Sequence, residues 1–293
     1  MKTSSSKGKR IKNTVLAALL IGASTVTFQG LTQTAMAAEY NKTNTIPTTY
    51  ASGENPSSAA VKSIMPQGYR KANYTVKDID LEYYKAQKPA SKDMSKKDAA
   101  EIGAQALWSV FGLNLEGQVI EMGYQPATNG LPRSGWHGDV LINGKLGYDF
   151  DVDSVTGDLF AVTRSRTLDK NVSVAYDAKL AENPQEYAAI AKATAEKLNV
   201  VHGAVTSVGY NCQGYGNNDP DITFNIKGKN GEVASMTFSR YDKALLAISF
   251  NAENKYTQEY MKQLEQKVVQ KKQSSVSSNS ENKKQTIIMT SGN

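Results

Sequence analysis

Leu146-Gly147-Tyr148-Asp149-Phe150-Asp151-Val152-Asp153-Ser154-Val155-Thr156-Gly157-Asp158-Leu159 is the stretch on which the fold turns. Leu146, Tyr148, Phe150 and Val152 alternate with Gly147, Asp149, Asp151 and Asp153. A period of two places one set on a dry face of a strand and the other on a wet face. Ser154-Val155-Thr156-Gly157 carries turn residues, and Leu159 to Thr163 reads as the returning strand. The pattern predicts an antiparallel hairpin with Phe150, Val152 and Val162 buried and with Asp149 and Asp151 facing water.

Upstream, Ser95 followed three residues later by Asp98 marks a helix start, because Ser caps free N–H groups and an acid suits the first turn. Ala99, Ile102, Ala106, Leu107, Val110 and Phe111 then fall on one helical face, and Gly112 ends it. Val119 to Tyr124 and His137 to Asn143 read as further strands. Downstream the same order returns. Asn183-Pro184-Gln185-Glu186 opens a helix with Asn as cap and Pro at the first position, and Tyr187, Ile190, Ala191, Thr194 and Leu198 continue its stripe. Val205 to Tyr210, Ile222 to Ile226, Val233 to Phe238 and Leu245 to Phe250 read as strands.

The two halves overlay with near-equal spacing. Gly123-Tyr124 matches Gly209-Tyr210, Asn143-Gly144-Lys145 matches Lys227-Gly228-Lys229, and Asp153 to Val162 matches Ser239 to Ile248. This predicts an α+β fold of two tandem helix-plus-antiparallel-sheet units, at 95–168 and 180–251. Residues 38–94 read as a flexible lead-in with a strand or a strap near 74–84. Residues 252–293 read as a tail, a short helix with Tyr260, Met261, Leu264 and Val268 on one face, then a disordered Lys/Gln/Ser/Asn segment.

The first unit resembles the PepSY family. Its opening, Ser95-Lys96-Lys97-Asp98-Ala99-Ala100-Glu101-Ile102, is similar to that family's helix start. Its closing, Tyr148 to Leu159 with Asp153-Ser154-Val155-Thr156-Gly157, is similar to the family's Val-Asp-x-x-Thr-Gly strand ending. The second unit departs, with Ser239-Arg240-Tyr241-Asp242-Lys243 in place of that ending, and resembles the family only through its partner repeat. The resemblance implies a non-catalytic module that restrains or contacts peptidases, or acts at the cell envelope.

The first 37 residues read as a cleavable secretory signal. Lys2, Lys7, Lys9, Arg10 and Lys12 form a basic start, Val15 to Ala23 a short apolar core, and Ala35-Met36-Ala37 a cleavage site before Ala38. The apolar run falls short of the roughly 20 residues a spanning helix needs, so no stable membrane insertion is expected after cleavage. The predicted location is secreted or associated with the cell envelope. This segment holds five of the 34 basic residues and none of the 28 acidic ones, which leaves 29 against 28, a net +1, for the rest. Such a balance gives no electrostatic footprint for nucleic acid. Cys212 is the sole cysteine, so the chain has no intrachain disulfide to rely on, and the thiol reads as a small core residue.

No catalytic constellation stands out. Counted from Asp149 as a calcium loop, the sixth and twelfth positions are Ser154 and Phe160, where Gly and Glu are required, so the aspartates read as a solvated face and no metal or cofactor is expected. Asp153 reads as a turn residue bonding nearby backbone N–H groups. His137 and His202 are the only histidines; His137 and Asp139 share a strand face, but no nucleophile motif completes a triad. The irregular connection Pro126 to Gly135 leads into Trp136, and Arg133, Trp136 and His137 are the expected partner-binding surface. The functional expectation is a secreted, non-catalytic protein-binding module acting on a protein partner, a peptidase by the resemblance. The alternatives are a cell-envelope structural protein and a hydrolase built around Trp136, His137 and Asp139.

Overall fold

The computed structural model describes residues 66–128, 133–255 and 257–269. The expected signal segment, residues 38–65 of the lead-in and the end of the tail lie outside the described residues. The fold is mixed α+β, with one nine-stranded sheet and few helices. The strands are β1 (Thr75–Asp78), β2 (Val119–Gln125), β3 (Gly135–Ile142), β4 (Lys145–Asp153), β5 (Leu159–Arg164), β6 (Val205–Gly216), β7 (Asp219–Gly228), β8 (Val233–Ser239) and β9 (Leu245–Ser249). The helices are α1 (Glu82–Lys85), α2 (Lys96–Phe111), α3 (Ala178–Glu182) and α4 (Gln185–Leu198), and the chain is helical again over 251–255 and 257–269. None of these helices is long and apolar enough to cross a membrane.

The sheet order is β1-β2-β3-β4-β5-β9-β8-β7-β6. β1 runs parallel to β2, and every other pairing is antiparallel. A helix followed by a four-strand meander therefore occurs twice, and the two meanders join at their last strands into one continuous sheet. At the seam Ala161 pairs with Ser249, Val162 with Ile248 and Thr163 with Ala247. Val162 and Ile248 are the residues that the sequence overlay made equivalent, so each half meets its own counterpart at the centre.

The hairpin register follows the alternation. Phe150, Val152 and Val162 are fully buried, whereas Asp149 and Asp151 lie on the opposite, partly covered face. Ser95 caps α2 by accepting from the Asp98 N–H at 3.2 Å, and Gly112 ends the helix in the left-handed region at φ 65°. The inward side of α2 is small, and this lets it sit close to the sheet. A side chain on Gly103 or on Gly138 would fall within 2.4 Å of the Phe150 ring, which fills the space between helix and strand. Burying such a ring is worth about 1.5–3 kcal/mol. On α4 the buried residues are Tyr187, Ala191 and Ala195. Pro184, rather than Asn183, is the residue preceding that helix; Asn183 ends α3 instead, with its N–H bonded to the Lys179 carbonyl.

The lead-in is corrected from residue 66 onward: it is folded against the first half. Tyr69 and Tyr74 donate their hydroxyls to the Glu101 carboxylate of α2 at 2.8 and 2.6 Å. The chain then adds β1 to the sheet, turns through α1 and reaches Asp93. That carboxylate accepts from Ser134 Oγ at 2.8 Å, Ser154 Oγ at 2.7 Å, Tyr124 OH at 2.7 Å and the Ala90 N–H at 2.7 Å. These donors hold its pKa below the ordinary carboxylate value against the opposing effect of burial.

Candidate functional site

Two surfaces compete for a functional role: the outer sheet face, opposite α2 and α4, and the β6 edge of the sheet. On the outer face of the first half, the alternation of β3 and β4 aims His137, Asp139, Asp149 and Asp151 the same way. His137 Nδ1 lies 2.8 Å from Asp151 Oδ1, and Nε2 lies 3.2 Å from Asp139 Oδ1. Burial opposes the charge on this ring, but Asp151 and Asp139 overcome it and raise the His137 pKa well above its ordinary value. Asp149 is pushed up to about 6, first by burial and then by the Asp151 charge. Glu253, from the helical stretch 251–255, is pushed up to about 7 for the same two reasons.

Tyr84 of α1 closes over this cluster. Its ring stacks on His137 with centroids 6.5 Å apart and planes within 7°. It can do so because Gly123, the β2 partner of His137, carries no side chain; a Cβ there would lie 2.5 Å from the Tyr84 ring.

The expected surface of Arg133, Trp136 and His137 does not form. Trp136 shares a face with Val140 and pairs with Val152, so it belongs to the core at 5% exposure, and its indole N–H donates to the Met94 carbonyl at 3.1 Å. Arg133 is turned to Asp153 at 3.1 Å and to Glu259 at 3.3 Å. His137 lies on the opposite face of β3 from Trp136. Asp153 is the buried turn residue, accepting from the N–H groups of Val155 and Thr156 at 2.8 and 2.9 Å. Among the described residues no group of three or more His, Cys, Asp or Glu is arranged to hold a metal ion.

The second half carries different chemistry at the matching register. Thr223, Thr237, Asn225 and Ser235 stand where His137, Asp151, Asp139 and Asp149 stand in the first half. They bond among themselves: Thr223 Oγ1 to Thr237 Oγ1 at 2.8 Å, and Ser235 Oγ to Asn225 Oδ1 at 2.9 Å. Cys212 is partly buried beside them, and burial pushes its thiol pKa up.

The two ends of the sheet also differ. β1 is four residues long and carries Lys77 and Asp78. β6 is twelve residues long, Val205-Thr-Ser-Val-Gly-Tyr-Asn-Cys-Gln-Gly-Tyr-Gly216, with no charged residue and no proline. Among the described residues its strand partner is β7 alone. Sequence reading ended β6 at Tyr210 and missed six residues of this edge, because Asn211 to Gly216 carries turn-forming residues without clear alternation.

The fold class defined here is a mixed α+β protein built on a nine-stranded sheet. No family profile matches the chain, and no curated protein matches it. Among solved structures it is similar to the Bacillus megaterium YpeB C-terminal domain, at a TM-score of 0.33 and 12% identity, over 55% of this chain and 65% of that one.

Proposed function

We propose that this chain is an exported, non-catalytic protein-binding module of two PepSY-like repeats, and that it binds an extracellular or cell-envelope peptidase through the β6 edge. The observation that carries the reading is the contrast between the two sheet ends. Proteins shield a strand edge with charge, proline, shortness or a cover, because its unpaired N–H and C=O groups accept a further strand. β2 is covered by β1, and β1 is short and charged. β6 is long and has no charged residue and no proline; its pairing is irregular near Val205 and at Tyr210/Cys212, the Gln213 side chain is bonded to the Asp177 backbone, and the Asp221 carboxylate of β7 reaches Gly214. An extended segment of a partner protein fits such an edge by strand addition. The repeated order of one helix and four strands supports the PepSY-like reading, and the basic, apolar and small-residue zones of 1–37 support export.

The hydrolase alternative loses support from the same geometry. Both nitrogens of His137 face carboxylates, which leaves neither free to take a proton from a nucleophile, and Trp136 is not available as a substrate platform.

The test is capture of peptidases from culture medium and cell-wall extract by the immobilised chain beginning at Ala38, followed by activity assay of the captured enzyme. A retained peptidase with lowered activity is expected. Ser207→Lys with Tyr215→Lys, which charges the edge, is expected to weaken capture at least tenfold, about 1.4 kcal/mol, with unchanged thermal stability. Equal capture by that variant would exclude the edge as the binding surface.

A further inference from the structure

We propose that α1 and its flanks, residues 80–86, form a proton-operated latch: a protonated His137 holds Tyr84 against the sheet, and loss of that proton releases the segment. The groups that face the ring are Asp139 on its own strand, Asp151 and Asp149 on β4 and Tyr84 on α1, while Glu253 on 251–255 faces Asp151. Glu121 on β2 stands opposite Asp139 in register, and Lys77 on β1 stands opposite Glu121. The cation carried by α1, Lys85, is already engaged by Asp80 and Glu82. His137 is therefore the positive centre within the cluster, ion-paired on both nitrogens.

Two contacts depend on that charge. The imidazolium neutralises the carboxylates that Tyr84 covers, and that is the larger effect, because the phenol ring centroid lies 6.5 Å from the imidazole's, at the outer limit of direct attraction. A neutral ring has one N–H, so one of the two aspartate contacts loses its hydrogen bond and becomes a contact between two acceptors. Tyr84 then covers a cluster of uncompensated carboxylates, and the Gly123 shelf contributes only van der Waals contact.

The sign follows from linkage. His137 holds its proton more tightly folded than unfolded, so its contribution is full below about pH 6.5 and is lost as pH rises through the folded value. Asp149 and Glu253, raised to about 6 and about 7, also hold protons more tightly when folded. As Asp149 ionises near neutrality it adds negative charge beside the ring and tightens its grip on its own proton, while Glu253 adds charge beside Asp151. The latch therefore stays closed through neutral pH and opens on the alkaline side.

The test is hydrogen exchange of 80–86 in the chain beginning at Ala38, from pH 6 to 9.5, corrected for intrinsic rates, with 222–226 of β7 as internal reference. The His137 ring is titrated in parallel by NMR, and it is assigned against His202 with the His137→Gln variant. The expected result is a loss of protection of about tenfold in 80–86 alone, with a midpoint matching the ring titration. His137→Gln is expected to exchange fast at every pH without a step. Asp139→Asn, which keeps the ring, is expected to move both midpoints to lower pH together. No step in the wild-type chain, a step that persists in His137→Gln, or midpoints that separate in Asp139→Asn would each overturn the latch.

Discussion

The two halves share an order of elements and a buried face, and they part company on the face turned away from the helices. In the first half that face carries His137 among Asp139, Asp149 and Asp151, and the chain's own lead-in covers it with Tyr84 and closes the edge with β1. In the second half the same positions hold Thr223, Asn225, Ser235 and Thr237, and the edge strand β6 has no charged residue and, among the described residues, no second strand beside it. One scaffold thus supports a self-occupied half and an open half. The charged cluster of the first half has an internal cover, whereas the matching positions of the second half hold uncharged side chains, with Asp221 and Lys227 at the two ends of that row on β7.

The largest effect expected in breaking this comparison comes from the seam between lead-in and first half. Trp136→Ala removes a core aromatic and leaves the Met94 carbonyl without its indole donor. It is expected to cost about 3–5 kcal/mol in denaturant unfolding. A loss below about 1 kcal/mol would return Trp136 to the surface.

Asp93→Ala is expected to cost about 3 kcal/mol, because Ser134, Ser154 and Tyr124 are left with unmatched donors in buried surroundings. Asp93 is held below the ordinary carboxylate pKa when folded, so its contribution is present above about pH 4 and is lost as pH falls through the folded value. The difference between wild type and Asp93→Ala should therefore shrink on acidification; a constant difference from pH 7 to pH 2 would contradict this.

The smallest effect belongs to the second half. Replacing Thr223 and Thr237 together by Val removes both partners of one hydrogen bond, and with them only the weak bond between Thr223 and the Cys212 sulfur. Stability is expected to change by less than about 1 kcal/mol, measured by denaturant unfolding, with no change in the pH dependence of 80–86. A larger loss would mean that the neutral face is as tightly constrained as the charged one.

Much of the fold was legible because local rules and tertiary packing agree. The Ser95 cap, the Gly112 stop and the alternation in β4 each placed an element within a residue or two. The outer-face cluster was less legible, and the reason is a bulge. Asn143 and Gly144, at φ 52° and 77°, form a tight turn that pairs Ile142 with Lys145. Continued without interruption, that register sets His137 opposite Phe150. The irregularity at Val140/Leu141 shifts the pairing by one, and His137 meets Asp151 instead. Trp136 could have been read correctly, since it alternates in step with Gly138 and Val140. Tyr84 and Glu253 carried no signal, because their roles depend on chain segments returning from far away in sequence.

The proposed partner adds a strand to the second half at β6. Hydrogen exchange of the chain in complex with a captured peptidase tests it most directly. New protection of backbone amides is expected within 205–216, with little change in 75–78 and 135–142. Protection confined to 133–142, with β6 exchanging as in the free protein, would contradict it.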